Sequence, residues 1–277
     1  MGLTLLLAVF CAPVWALSVE RPTLHQFDDG PPLPPSHLYL PGETVFFTCR
    51  LGGFKTSMAA DEQRSVKVSW QWEILDPSGA PLVKPGSGKL ADVVAPQDKD
   101  WMPKVVFNFN VPPYAPGGNY QIRFIARDEV AQEERKAEFM FPVRGHEVEP
   151  SDSLVARNLH FLRSEADGPA LNPAVFRPGE TLWARFDIAG YKYGDKNRFH
   201  VEYGLAVLAE DGKQVFAQPA AAEDSSESFY PQRYVPGALS LNLNQGVPAG
   251  TYTLVITLED KVGGQTGETR GEFRVER

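Results

Sequence analysis

Five histidines (His25, His37, His146, His160 and His200), two cysteines (Cys11 and Cys49) and scattered carboxylates are the groups through which this chain could do catalytic or metal chemistry. Their spacing assembles none of it. There is no His-Glu-x-x-His and no Cys-x-x-Cys pair, so the sequence carries no zinc signature. His25 and His160 stand ahead of corresponding parts of a repeated sequence, with Asp28-Asp29 beside the first, and a repeated structural position accounts for them. Gly86-Ser-Gly-Lys89 shares glycines and a lysine with phosphate loops. The earlier glycine of that motif falls at Val83, however, and Leu90 stands where Ser or Thr must meet magnesium, so the segment reads as a turn. No Gly-x-Ser-x-Gly elbow is present, and the dispersed residues define no Ser-His-Asp triad. Glu133-Glu134 is followed by Arg135 and Lys136 and reads as solvated surface. Asp128 and Asp260 end equivalent strands, where an Asp caps a turn or helps hold calcium between loops. The expectation is a chain with no catalytic residue, metal or cofactor.

Aromatic residues are the stronger binding candidates. In Val45–Leu51 the period of two sends Val45, Phe47, Cys49 and Leu51 to one face and Phe46 to the other. The same register sends Trp183 outward in a second run. Each is covered by the proline-rich segment before it, by a neighbouring domain, or by a partner. A second set falls on loops: Trp101 in Asp98-Lys-Asp-Trp-Met-Pro103, and Phe229, Tyr230 and Tyr234 in the matching region further on. Loop aromatics at the end of a rigid scaffold either close its core or anchor a peptide or sugar ring.

The elements that must carry these side chains are strands, written twice. Asp29-Gly-Pro-Pro-Leu-Pro-Pro35 and Pro41-Gly-Glu-Thr44 recur as Asp167-Gly-Pro-Ala-Leu-Asn-Pro173 and Pro178-Gly-Glu-Thr181. Gly53-Phe-Lys55 recurs as Gly190-Tyr-Lys192. Val68-x-Trp70-x-Trp72-x-Ile74 recurs as Val201-x-Tyr203-x-Leu205-x-Val207, and Pro116-x-Gly-x-Tyr120 as Pro248-x-Gly-x-Tyr252. The offset shrinks from 138 to 132 residues along the chain, as loop deletions between duplicated units produce. The alternating runs are antiparallel strands with one buried face, and two such faces covering each other make a β-sandwich of about 110 residues. The boundary falls in the polar stretch Arg144–Ser153. The domains are read as 19–145 and 154–277, with a linker at 146–153.

Ahead of them, an apolar run from Leu3 to Ala16 is too short to cross a bilayer as a helix and turns polar after it. It reads as a signal peptide over 1–16, cut after Ala16 or as late as Ser18, although no Lys or Arg precedes the run. Phe10 stands where a lipobox ending in Cys11 needs Gly or Ala, so no lipid anchor is expected. Removal of the leader leaves Cys49 alone, without an internal disulfide partner. The net charge of -8 argues against a phosphate-neutralising surface, and so against nucleic acid as partner. No other apolar stretch is long enough to span a membrane.

Cys49, Trp70 and Tyr120-x-Ile122 resemble the Cys, Trp and Tyr-x-Cys positions of immunoglobulin-like domains, in the loose form of bacterial exported repeats. Ile122 replaces the second Cys. The second unit has Phe186, Tyr203 and Tyr252-x-Leu254 at these positions, so packing takes the place of the disulfide. Fibronectin-type and macroglobulin-type sandwiches fit the same pattern. The resemblance implies an all-β pair of tandem Ig-like sandwiches used for binding or spacing, periplasmic, on the cell surface or extracellular, with a protein as partner. A second reading is a carbohydrate-binding pair in which Trp101, Phe229, Tyr230 and Tyr234 stack on sugars. A third is a hydrolase with its site between the domains. Fold alone does not decide among them.

Overall fold

The structure is a computed structural model, described for residues 16–58, 62–166 and 168–277. Residues 1–15 of the leader read from the sequence lie outside the described residues. The first sandwich contains β1 (Ser18–His25), β2 (Thr44–Gly52), β3 (Ser57–Met58), β4 (Arg64–Leu75), β5 (Gly86–Val94), β6 (Lys104–Asn110), β7 (Gly118–Asp128) and β8 (Glu133–Val143). The second contains β9 (Val155–Leu162), β10 (Val175–Phe176), β11 (Thr181–Ala189), β12 (Phe199–Ala209), β13 (Gln214–Ser226), β14 (Val235–Asn242), β15 (Gly250–Asp260) and β16 (Gln265–Val275). Each sandwich pairs a three-stranded sheet with a five-stranded one. The orders are β1-β2-β6 against β3-β4-β7-β8, with β5 also on β4, and β9-β11-β14 against β10-β16-β15-β12-β13. This is an Ig-like arrangement, and the chain is all-β in character. By contact density the chain divides into two units. One holds the described residues up to Tyr39, Glu43–Val111 and Asn119–Pro142; the other holds Leu40–Gly42, Pro112–Gly118 and Val143–Arg277.

Alternation of side chains decides which face of each strand is buried. Val105, Phe107 and Phe109 of β6 are buried between the exposed Lys104, Val106, Asn108 and Asn110, and β14 repeats the pattern with Val235, Gly237, Leu239 and Leu241. The two sheets of each unit then meet through aromatic rings. Trp72 stacks on Phe107 at 4.6 Å, Phe47 meets Phe139 at 5.3 Å, and in the second sandwich Phe186 meets Tyr203 edge-on at 5.6 Å. The registers correspond: Val68 lies opposite Asp128 and Ile74 opposite Ile122, as Val201 lies opposite Asp260 and Val207 opposite Leu254. Thr44 donates to the side chain of Asn110 as Thr181 does to that of Asn242.

Of the expected core, Cys49, Tyr120, Ile122, Phe186, Tyr203, Tyr252 and Leu254 are buried. The Tyr252 hydroxyl donates to the Pro248 carbonyl at 2.9 Å, tying the start of β15 to the loop before it. Trp70 differs. It is half-buried, because its indole and that of Trp72 spread across the edge strand β5 over Gly88 and Gly86, where a Cβ would stand 2.4 and 2.2 Å from the rings. The same contact corrects the reading of Gly86-Ser-Gly-Lys89 as a turn: it is the start of β5, and the missing side chains make room for the tryptophans. His25 and His160 are likewise not counterparts. His25 pairs with Phe46 and Leu162 with Trp183, so Leu162 holds the place of His25.

Cys49 is a free thiol deep in the first sandwich, and burial pushes its pKa up to about 12. The thiolate that reacts with disulfide reagents is therefore missing at pH 8 in the folded state. The expected outcome is negligible Ellman reactivity of Cys49 in the native protein and full reaction of that thiol once guanidinium unfolds the chain. Rapid native labelling contradicts this burial.

Candidate functional site

At the end of each sandwich where its first strand begins, a fully buried carboxylate organises the loops. Asp128 accepts from the backbone N–H groups of Val130 and Ala131 through one oxygen and from that of Lys55 at 2.6 Å through the other. Asp260 accepts from Val262 and Gly263 at 2.9 Å, and from Lys192 at 2.8 Å, in the same way. The capping reading of these residues thus describes their geometry: several amide donors satisfy a charge that burial alone would make costly. Among the described residues no group of three His, Cys, Asp or Glu is arranged to hold a metal ion. Gly53 and Gly190 precede these loops with φ of +66° and +80°, and any Cβ there would meet the carbonyl oxygen of Ala16 or Ser153. The backbone leading into each sandwich passes against this glycine, and Leu17 and Leu154 are buried at matching positions.

The amide captured by Asp128 belongs to the residue after Phe54. In the first sandwich Phe54 meets Trp101 edge-on, with ring centres 6.3 Å apart, and both rings are half-buried. They stand in a cleft of about 900 Å³, together with Arg21, Lys55, Arg64, Lys99, Glu20, Asp100 and Glu133. The loop carrying Trp101 is held by Arg50, which donates to the Met102 carbonyl at 3.0 Å, and by Arg64, which donates to that of Asp98 at 2.6 Å. No histidine lines this cleft. It presents two aromatic faces amid charges of both signs.

The same end of the second sandwich is closed. Tyr191, the counterpart of Phe54, is buried against Phe199 with ring centres 5.0 Å apart. Its hydroxyl and that of Tyr193 both donate to the Gln232 carbonyl. Asn197 donates to the carbonyls of Ser228 and Phe229 at 3.2 and 2.6 Å, so the loop carrying the three predicted aromatics is laced down. Tyr230 and Tyr234 are only 5% and 6% exposed, while Phe229 is 45% exposed. Burial, helped by the nearby Asp187 carboxylate, pushes the Tyr234 hydroxyl up to about 12. Tyr230 and Tyr234 therefore do not form an open stacking platform with Phe229, and of the loop aromatics Trp101 and Phe229 are the accessible ones.

Phe46 and Trp183 do stand on the outward register of β2 and β11 and are half-buried. Phe46 borders a shallow depression with Leu33, Pro34 and His37, where the proline-rich segment folds back through the Leu33 N–H to the Leu24 carbonyl. Leu171 makes the equivalent bond to Phe161. The histidines are occupied locally. His25 bonds the Gly30 carbonyl and the Thr48 hydroxyl, His146 the Asp187 carboxylate at 2.7 Å, and His200 that of Glu223. Phe54 and Arg64 are the site residues that sequence reasoning missed. The repeat Gly53-Phe-Lys55 contained the signal for Phe54 but did not say which copy stays open.

The class that the fold defines is an all-β protein of Ig-like sandwiches, with a cleft at one end of the first. No protein-family model matches the chain, and no curated protein matches it. Among solved structures it is similar to the C-terminal domain of the Streptococcus pyogenes antigen I/II-family protein AspA, at 9% identity, with a TM-score of 0.30, over 94% of this chain and 99% of that one. Among the described residues no helix is long and apolar enough to cross a membrane.

The two kinds of residue separate in stability. Asp260→Ala removes the acceptor of three backbone amides from the core and is expected to cost about 3 kcal/mol in urea unfolding, whereas Trp101→Ala at the cleft should cost about 1 kcal/mol or less. Equal losses contradict the division between a buried anchor and a cleft-lining residue.

Proposed function

We propose that this chain is an exported, non-enzymatic binding protein made of two copies of one Ig-like unit, and that it grips a protein partner at the open end of its first sandwich. The observation that carries this reading is the contrast between the two equivalent ends. In one, tyrosines and a laced loop close the core; in the other, Phe54 and Trp101 stay half-exposed in a cleft lined by charged groups of both signs. Aromatic anchors ringed by charge are the usual energetic centre of protein recognition. Duplication is supported by the matched registers and by the paired Asp128 and Asp260 anchors. The burial of Tyr230 and Tyr234 weighs against the sugar-stacking reading.

Affinity capture from the native envelope with the full mature chain tests the site. Phe54→Ala combined with Trp101→Ala should reduce recovery of the partner at least tenfold while thermal unfolding stays cooperative. Unchanged recovery overturns the proposed site, and binding on a glycan array that depends on Trp101 overturns the choice of a protein partner.

Export is supported by the apolar leader, and the structure bears on the cut. Leu17 is buried and Ser18 is the first residue of β1, paired with Gly52. A cut after Ser18 removes both, whereas a cut after Ala16 keeps them. Amino-terminal sequencing of the secreted protein should therefore begin at Leu17; a start at Val19, or retention of the leader, contradicts this.

A further inference from the structure

A second opening lies at the other end of the second sandwich, where β12 ends and β15 begins. It is an apolar cleft of about 500 Å³ whose wall includes Val207, Leu241, Leu243, Val247, Tyr252 and Phe273. Beside it Val215 and Phe216 of the edge strand β13 are 54% and 42% exposed. The charged groups on its lining are Glu210 and Asp211, with no Lys or Arg.

The first sandwich shows what this place accommodates. There Ile74 holds the position of Val207, and the chain continues through Asp76–Pro85 before β5 starts. That loop folds back so that the Leu82 N–H donates to the Ile74 carbonyl at 2.8 Å, and Leu82 is 2% exposed. In the second sandwich the corresponding connection is a tight turn. Ala209 donates to the Lys213 carbonyl and Gly212 to that of Ala209, both at 2.9 Å, so this connection has no counterpart of the Leu82 segment. Leu82 is followed by Val83 and Lys84, so the inserted aliphatic side chain comes with a cation two residues on.

We propose that the cleft at Val207, Leu241 and Val247 binds a loop of a partner protein that inserts one leucine-like side chain and sets a lysine or arginine beside Glu210 and Asp211. The aliphatic group restores the contact that the first sandwich makes internally, and the acidic rim supplies the charge preference. This site is separate from the Phe54 and Trp101 cleft and does not depend on it.

The test appends the Asp76–Gly86 sequence to the full mature chain beyond Arg277 through a short Gly/Ser linker. Val275 pairs with Gly250 on the rim, so the tail starts near the cleft and acts at an effective concentration of about millimolar. The wild-type tail should raise the melting temperature by several degrees over a tail with Leu82→Ser, and should shift the methyl resonances of Leu241 and Leu243. The Lys84→Glu tail should lose part of the effect, and the loss should shrink in high salt. Val247→Trp in the body of the protein should abolish the difference between tails; Thr251→Trp at the rim serves if the first variant unfolds. Identical melting and identical spectra for the Leu and Ser tails overturn the proposal. Concentration-dependent dimerisation through the tail replaces it with self-association.

Discussion

The buried carboxylate at the end of β7 and of β15 is the constraint from which the rest of each sandwich's leading end follows. An ionised Asp in a dry interior is tolerable only when amide donors surround it, and those donors come from two places in sequence: the hairpin just after it and the loop after β2 or β11. The carboxylate therefore fixes where Lys55 and Lys192 lie, and with them the aromatic residue just before each. Phe54 is held at the cleft because its neighbour's N–H is captured by Asp128. The first sandwich can keep this end open without the loop wandering, since the anchor is covered even though the ring is not.

Much of this was legible in the sequence where one face of a strand is more deeply buried than the other. Runs such as Val45–Leu51 and Val201–Val207 show their period because one face lies in the core and the other, Thr48 and Gly204 apart, is only half-buried, and the repeat marked their counterparts. The misreadings share a different cause. Gly86-Ser-Gly-Lys89 looked like a turn because its strand partner, not the segment itself, supplies the bulk. Tyr230 and Tyr234 looked available because the groups that lace their loop down, Tyr191, Tyr193 and Asn197, lie about 30 to 40 residues earlier in the chain. Local pattern reports which face a residue takes; it does not report what another segment lays over it.

That distinction also explains why two ends built on one plan diverge. Strand faces are under the common demand of burying apolar surface, so substitutions there stay apolar: Trp72 and Leu205, or Ile74 and Val207. Connections carry no such demand. Their lengths change at little cost, because loop closure depends only weakly on length. The short turn between β12 and β13 leaves a cleft against core side chains, whereas the longer loop between β4 and β5 folds back and buries Leu82. The variation that creates clefts thus falls where the fold is least sensitive to it.

The unpaired Cys49 fits the same logic. A disulfide between the sheets contributes about 2–4 kcal/mol, chiefly by restricting the unfolded chain. An aromatic pair adds about 0.5–1.5 kcal/mol beyond the area it buries. Trp72 on Phe107, Phe47 on Phe139 and Phe109 on Phe141 cross between the sheets of the first sandwich, and three such contacts match one disulfide. The packing route also leaves stability independent of the redox state of the compartment. Its requirement is a continuous aromatic core, and such a core runs out at the ends of the sandwich, where the loops cover it to different extents.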